Sequence, residues 1–338
     1  MTCYKPIKAW YAPGVTKNGK RVVVFNSKDA IDPHSSFGVP CNQCIGCRLD
    51  RSRRAATQIS LENQMHEKSI FMTLTYSDEF VPYIVDPETG EMLQTLKPED
   101  MTLFIKRLRR QIQYHFPNNE NIRYYLCGEY GGKTERPHYH VILFGFEPYD
   151  RVHYKTTFNG DKLYNSDFLS KCWPKGFINY GNVTFESAAY VARYCCKKIT
   201  GEMAEEHYKG RCPEFVRMSN RPGIGASWLE KFKNDVYPND YVIVRGDVKV
   251  KPPKYFDKLY EKWFPDKFAV IREKRVKDSI NAVHDEIVRR DIKFPSVELT
   301  TVQELERIFY EYEVLPVKEE CQKAKIKKLK RPLEVEDV

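Results

Sequence analysis

The 338-residue chain has no run of about 18 apolar residues, the length a membrane-spanning helix needs. Its first ten residues, MTCYKPIKAW, lack the apolar core of a secretory signal. These absences predict a soluble intracellular protein with no membrane partner. There is no internal repeat and no low-complexity tract, which excludes a solenoid, and a 41% hydrophobic content excludes a disordered chain. Negative charge is in deficit: 46 Asp and Glu face 55 Lys and Arg, a net charge of +9. The excess is clustered in RLDRSRR (48–54), KRLRR (106–110) and KIKKLKR (325–331), which favours an anionic partner such as nucleic acid. Histidine is scarce, eight in all, and two of the eight fall within three positions, His138 and His140.

Cysteine is plentiful, ten residues, in a chain without an export signal. Cytosolic thiols stay reduced, so a disulfide framework is not expected. CNQCIGC places Cys41, Cys44 and Cys47 at two-residue gaps, a knuckle that can wrap thiolates around a structural zinc, and Cys3 can supply a fourth sulfur. Three small buried residues at a helix start, or a redox role, are the other readings of that spacing. Helix-forming residues follow in RLDRSRRAATQISLENQMHEK, so the knuckle leads into a basic helix.

SIFMTLTY (69–76) predicts a strand, and DPETGE a turn or hairpin after it. KPEDMTLFIKRLRRQIQYHF predicts a helix: Pro98 stands near its start, acidic residues fill the first turn, and Leu103, Phe104, Ile105, Leu108 and Ile112 form the apolar stripe. NIRYYLCGEY (121–130) and RPHYHVILFGF (136–146) flank the turn residues GGKTE, which predicts a hairpin. GFINYGNVT (176–184) is a further strand, and ESAAYVARYCCKKI a helix beginning near Ser187. Strand, helix, hairpin, strand, helix is an α+β pattern on a mostly antiparallel sheet of about five strands. Three regions follow: an N-terminal Cys-rich segment with its basic helix (1–68), a core (69–235), and a basic, mainly helical C-terminal region (236–338) that ends in a flexible tail.

Residues two apart on a strand share a face, so His138 and His140 project together while Tyr139 goes to the other side. If the turn pairs Tyr130 with Pro137, Glu129 lies across from His138 at about 5 Å. A slip of one residue would substitute Glu135. Two imidazoles and a carboxylate with open positions suit Mg²⁺ or Mn²⁺, whose remaining sites take water or phosphate oxygens, and by ligand type they also suit zinc or non-haem iron. In YVARYCCKK (190–198), Tyr190 and Tyr194 lie about 40° apart on one helical face, with Lys197 and Lys198 a turn later. A tyrosine assisted by a lysine and a polarised phosphate is a competent nucleophile that yields a phosphotyrosine. The same stripe is also that of an amphipathic helix with core-facing tyrosines.

FMTLTY, RPHYHVILFG and YVARYCCKK, in that order, resemble the three motifs of the HUH endonuclease superfamily. The paired tyrosines resemble those of the rolling-circle initiators of small single-stranded DNA phages. More narrowly, CNQCIGCR, GEYG, and RPGIG with Trp228 are similar to the replication initiators of gokushovirus-like Microviridae. The likeness spans about residues 1–235. It implies an HUH fold with a central sheet flanked by helices, a metal held by His138, His140 and Glu129, alternating nucleophiles Tyr190 and Tyr194, and Lys197 or Lys198 near the phosphate. It also implies an enzyme that nicks and rejoins single-stranded origin DNA in the host bacterial cytoplasm, working with the host helicase and polymerase. A strand of this kind needs a basic groove with aromatic platforms, for which Arg51, Arg53, Arg54, Arg107, Arg109 and Arg110 are the candidates. The alternatives are a relaxase of a mobile element, a metal-dependent hydrolase or oxygenase acting on a small substrate, and a non-catalytic zinc-knuckle nucleic-acid-binding protein.

Overall fold

The computed structural model describes residues 3–17, 19–119, 121–132, 134–157, 160–194, 198–199, 203–293 and 299–328; at residues 194, 203, 299–301 and 303 it describes the backbone alone. Two compact units emerge. One combines Met1–Asp50 with Ala269–Lys330, and the other is built on Arg51–Phe268. The chain therefore does not follow the three consecutive regions expected from sequence, because its N-terminal segment and its last helices share a unit.

The first unit opens with β1 (Ile7–Val15), β2 (Arg21–Val24) and β3 (Phe37–Val39), an antiparallel sheet in the order β2-β1-β3. Sequence patterning gave no sign of it, since the residues β1 buries are the small Ala9 and Ala12. Helix α1 (Ile45–Asn63) starts at the cysteine knuckle, and its residues from Arg51 belong to the second unit.

In the second unit β4 (Ser69–Tyr76) is followed by the hairpin β5 (Tyr83–Val85) and β6 (Met92–Gln94), with the DPETGE turn between them. Helix α2 (Pro98–His115) has Pro98 in its first turn with Glu99 and Asp100, where a missing N–H costs nothing and negative charge is favoured. Met101, Phe104, Ile105, Leu108 and Ile112 are its buried stripe; Leu103 is exposed, and Met101 takes the place expected for it. Then come β7 (Arg123–Tyr130), β8 (Pro137–Phe144), β9 (Val152–Thr156), β10 (Lys162–Asn165), α3 (Asp167–Cys172) and β11 (Gly176–Asn182). Helix α4 (Phe185–Tyr194) begins two residues before Ser187. Ser187 N donates to Thr184 Oγ1 (3.1 Å) while Thr184 N donates to Ser187 Oγ (2.9 Å), a reciprocal cap. The unit continues through α5 (Met203–Tyr208), β12 (Phe215–Met218), α6 (Ala226–Val236), the hairpin β13 (Val242–Arg245) and β14 (Val248–Val250), and α7 (Lys254–Trp263). Helix α8 (Pro265–Arg289) leads back to the first unit, which α9 (Leu299–Phe309) and α10 (Leu315–Lys328) complete. The expected tail falls at 329–338, outside the described residues. Among the described residues no helix is long and apolar enough to cross a membrane.

The sheet of the second unit has seven strands, ordered β12-β7-β8-β4-β11-β10-β9, with every pairing antiparallel. Five were expected. The added strands lie at the margins, where all five residues of β9 are exposed and β12 is only four residues long, so neither shows an alternation to read. On one face Met72, Leu74, Tyr139 and Val141 pack with Phe104 and Leu108 of α2 and with Trp173. On the other, Cys127, Ile142 and Phe144 pack with Ala56 and Ile59 of α1 and with Ala188, Val191 and Ala192 of α4. Burying each large side chain contributes about 1.5–3 kcal/mol, which fixes the strand register and hence which residues face α4.

Candidate active site

The central hairpin pairs Tyr130 with Pro137, Glu129 with His138 and Cys127 with His140. On the other side of β8, Thr73 and Thr75 of β4 stand opposite His140 and His138. Alternation sends Tyr139 to the α2 face, where its hydroxyl accepts from Lys97 N at 2.9 Å and meets the Tyr76 hydroxyl, also at 2.9 Å. The two histidines go to the α4 face with Glu129.

There, His138 Nε2 and His140 Nε2 lie 2.7 and 2.9 Å from one atom, Glu129 Oε1. Glu129 is fully buried. Burial pushes its carboxyl up, but hydrogen bonding and coulombic attraction from both imidazoles prevail and hold it well below the usual carboxylate range. The far nitrogens are engaged as well. His138 Nδ1 donates to the carbonyl of Arg136 at 3.1 Å, and His140 Nδ1 is 3.1 Å from Thr73 Oγ1. With Nδ1 carrying the proton, a neutral His138 turns its Nε2 lone pair onto a carboxylate oxygen, which requires a cation where they meet: a second proton or a metal ion. All three ligand atoms lie within 4.8 Å of one another, so the donor set fits a divalent ion. Glu135 is elsewhere: it sits in the turn with φ 51°, its carboxylate paired with Arg211.

The site's roof is aromatic. Phe71 stacks on His140 (centroids 5.6 Å, planes 17°), Tyr190 of α4 meets the same ring edge-on, and the Arg193 guanidinium lies 5.4 Å from the Tyr190 ring. Tyr190 is buried. Tyr194 is the last residue of α4, its side chain outside the described residues, as is all of Lys197. Thr73 and Phe71 were missed in sequence, although the alternation of FMTLTY already put Phe71, Thr73 and Thr75 on one face.

Lys198 is exposed and lines a groove of about 500 Å³ with Arg51 and Arg54 of α1, Tyr125 of β7, and Lys254 and Tyr255 of α7. Arg51 and Arg54 are three apart and so share a helical face, while Arg53 is not among the groove residues. The α2 arginines are not brought to the site. Arg107 donates to the carbonyl of Cys172 (3.0 Å), Arg109 lies 5.7 Å from the Tyr124 ring, Arg110 is exposed, and α2 covers the opposite face of the sheet.

In the first unit the four expected cysteines converge: Cys3 Sγ is 3.6 Å from Cys41 and 3.9 Å from Cys44, and Cys41 is 4.0 Å from Cys47. All four are free thiols. Backbone N–H groups of Tyr4, Cys41 and Cys44 donate to the sulfurs of Cys44, Cys3 and Cys41, each at 3.3 Å. Burial alone would raise the Cys44 thiol, but N–H groups of Cys47 and Tyr4 bring it down to about 7. A tetrahedron with metal–sulfur bonds of about 2.3 Å has edges of about 3.8 Å, so these separations fit a four-thiolate metal site.

An antiparallel α+β domain that sets a Glu–His–His cluster beneath a tyrosine-bearing helix matches known proteins over that span. The family of replication-associated protein ORF2 matches residues 69–199, from β4 through α4. The chain is 34% identical over 270 residues to replication-associated protein VP4 of Bdellovibrio phage phiMH2K, covering 79% of the chain and 80% of that protein. It is 36% identical to replication-associated protein ORF2 of Spiroplasma virus 4 (71% and 73% covered) and 32% identical to replication-associated protein ORF4 of Chlamydia phage 1 (67% and 54%). No solved structure matches. The chain belongs to the family of phage replication-associated proteins.

Proposed function

We propose that this chain is a rolling-circle replication initiator with an HUH endonuclease core in residues 69–235, which nicks and rejoins single-stranded origin DNA through a tyrosine. The observation that carries this reading is the convergence of His138 and His140 on Glu129 directly beneath Tyr190. Glu129, His138 and His140 would hold Mg²⁺ or Mn²⁺, which when bound neutralises charge on the scissile phosphate. The phenolate oxygen of Tyr190 or Tyr194 attacks phosphorus. A tyrosine–phosphate bond forms, the bond to the 3′ oxygen breaks, and that oxygen takes up a proton to become the hydroxyl the host polymerase extends. After one round the second tyrosine cleaves the regenerated origin, and the free 3′ hydroxyl attacks the first phosphotyrosine, sealing the displaced circle. The number of phosphodiester-type bonds is conserved at each transfer, so no ATP is consumed. Lys197 or Lys198 assists near the phosphate, Arg51 and Arg54 bind the strand, and the cysteine cluster is a structural zinc site. The reaction takes place in the host bacterial cytoplasm, beside a host helicase.

The direct assay incubates the protein with single-stranded origin DNA and Mg²⁺ or Mn²⁺. A protein–DNA adduct that survives denaturation, disappears with chelator and maps to Tyr190 or Tyr194 by mass spectrometry is expected. An adduct that persists in the double variant Tyr190→Phe, Tyr194→Phe would refute the nucleophile assignment.

A further inference from the structure

The RPGIG segment (221–225) takes no part in the reaction described above, yet its geometry is closely determined. Arg123 Nη2 donates to the carbonyl of Pro222 (2.9 Å), Gln58 Nε2 to that of Ile224 (3.1 Å), and Gly225 N to the buried Glu62 carboxylate (2.6 Å). Both glycines are needed. Gly225 has φ 84°, and a Cβ there would lie 2.8 Å from the Phe256 ring. At Gly223 a Cβ would come within 2.5 Å of the ring of Tyr255, whose hydroxyl accepts from Gly223 N at 2.9 Å. The turn is thus a fitted seat for one aromatic side chain.

Tyr255 also lines the groove of about 500 Å³, together with Tyr125, Arg51, Arg54, Lys198 and Lys254. Glu214 is in its wall too, with one carboxylate oxygen taking the hydroxyl of Tyr208, so cations outnumber anions four to one among the lining side chains. Tyr125 and Glu129 are four residues apart on the same face of β7, about 13 Å along the strand. The groove therefore opens a short stretch of extended nucleic acid away from the Glu–His–His cluster.

We propose that this groove binds one unstacked base of the substrate strand beside the scissile phosphate, with Tyr255 as its stacking platform, the RPGIG turn as the device that holds the platform, and Arg51, Arg54, Lys198 and Lys254 as phosphate partners. The proposal rests on the nicking reading for its substrate. Its chemistry is that of sequence-tolerant single-strand binding: an aromatic plane for the base and mobile cations for the backbone.

The test is fluorescence anisotropy of labelled (dT)12 with the full chain in excess EDTA, a condition in which no strand transfer is required. Tyr255→Ala is expected to weaken binding about tenfold, in the range for loss of one stacked base. Tyr255→Phe, which keeps the ring, stays within about threefold of wild type. Gly223→Ala, which displaces the ring, behaves like Tyr255→Ala. Arg54→Gln lowers the slope of log affinity against log salt by about one. (dT)12 carrying 5-iodouracil cross-links on irradiation to Tyr255 or Tyr125. Wild-type affinity and salt slope in both Tyr255→Ala and Arg54→Gln, with unchanged circular dichroism, overturn the proposal. So does binding of dTMP that Tyr255→Ala abolishes while (dT)12 affinity is unchanged, which would make the groove a free-nucleotide site. Failure of the covalent-adduct assay with these effects intact would remove the nicking reading and leave a single-strand groove; an adduct without them would do the reverse.

Discussion

The rings of Tyr190 and His140 meet edge to face, centroids 5.2 Å apart and planes at 82°. This contact joins α4 to β8 and sets a phenol beside the ligand cluster. It also separates two roles of one side chain, since the ring packs and the hydroxyl reacts. Tyr190→Phe keeps the packing, so thermal stability is expected to change by less than about 1 kcal/mol. Adduct formation in the Tyr190→Phe, Tyr194→Phe pair is expected to fall by roughly 10³-fold or more, measured by denaturing gel with labelled origin strand. A folded double variant with wild-type adduct yield would move the nucleophile elsewhere. Tyr76 and Tyr139 are poor substitutes, because burial raises both phenols far above neutral pH.

Thr73 touches no substrate in the proposed reaction; it acts through His140 Nδ1 at 3.1 Å. Outer-shell partners of metal-binding histidines typically contribute 10–100-fold in metal affinity. Thr73→Val preserves shape and removes the hydroxyl, so the Mn²⁺ concentration giving half-maximal adduct formation is expected to rise by about tenfold, while the yield at saturating Mn²⁺ recovers. Thr73→Ser should restore the wild-type requirement. An unchanged Mn²⁺ requirement in Thr73→Val would show that the hydroxyl does not orient the ring.

Glu129 and Glu135 differ by six positions and by environment: one is fully buried between two histidines, the other paired with Arg211 on the turn. Glu129→Ala removes the atom both imidazoles share and is expected to lower metal-dependent adduct formation by about 100-fold. Glu135→Ala is expected to leave it within about twofold, in line with the small worth of an exposed pair. Equal losses in the two variants would mean that the carboxylate acts through folding alone.

The hairpin and its cluster were legible because strand period and turn length fix each other. Once Tyr130 pairs with Pro137, Glu129 must face His138, and the pleat does the rest. Strand β4 was legible to the residue, since buried and half-buried positions alternate through all of SIFMTLTY. The basic clusters were not, because charge content says nothing of which face a helix turns inward. Arg51 and Arg54 reach the groove, whereas Arg107 and Arg109 lie across the sheet from the site. Lys254 and Tyr255 could not be found by local pattern at all: they come to the groove from more than 120 positions beyond Tyr125, through the seat formed by Gly223.

Glu62 provides a pH test away from the candidate metal ligands. It is buried, and it accepts from Arg123, from His66 Nε2 (3.2 Å) and from Gly225 N (2.6 Å). Burial raises its carboxyl, but these partners overrule that effect and its pKa falls below 4.5. A depressed carboxylate stabilises the fold fully above its unfolded value, and that contribution disappears as pH drops through the lower folded value. Thermal melts are therefore expected to be flat from pH 7 to about 5 and to fall below about 4.5. Glu62→Ala is expected to cost about 3 kcal/mol at pH 7, because it leaves Arg123 without its carboxylate, and to flatten the acid limb. An acid limb of unchanged steepness in that variant would assign it to other carboxylates.

The cysteine cluster makes a prediction independent of DNA. Four sulfurs at 3.6–4.0 Å are too far apart for disulfides and spaced as a metal tetrahedron requires. Three backbone N–H groups already point at them, which lowers the cost of gathering negative thiolates in one place. Purified protein is expected to contain one zinc per chain by elemental analysis, released by a strong chelator or by a thiol-modifying mercurial. Cys44→Ser is expected to lose that zinc and to increase proteolysis within residues 1–50, since a closed site of this kind contributes folding free energy directly. Adduct formation on a short origin strand would then separate the two metals: if it survives in the zinc-free variant when Mn²⁺ is supplied, the cysteine site is structural and the Glu–His–His cluster alone serves the chemistry. A folded, metal-free wild-type protein would instead leave the four thiols as a small buried core at the start of α1.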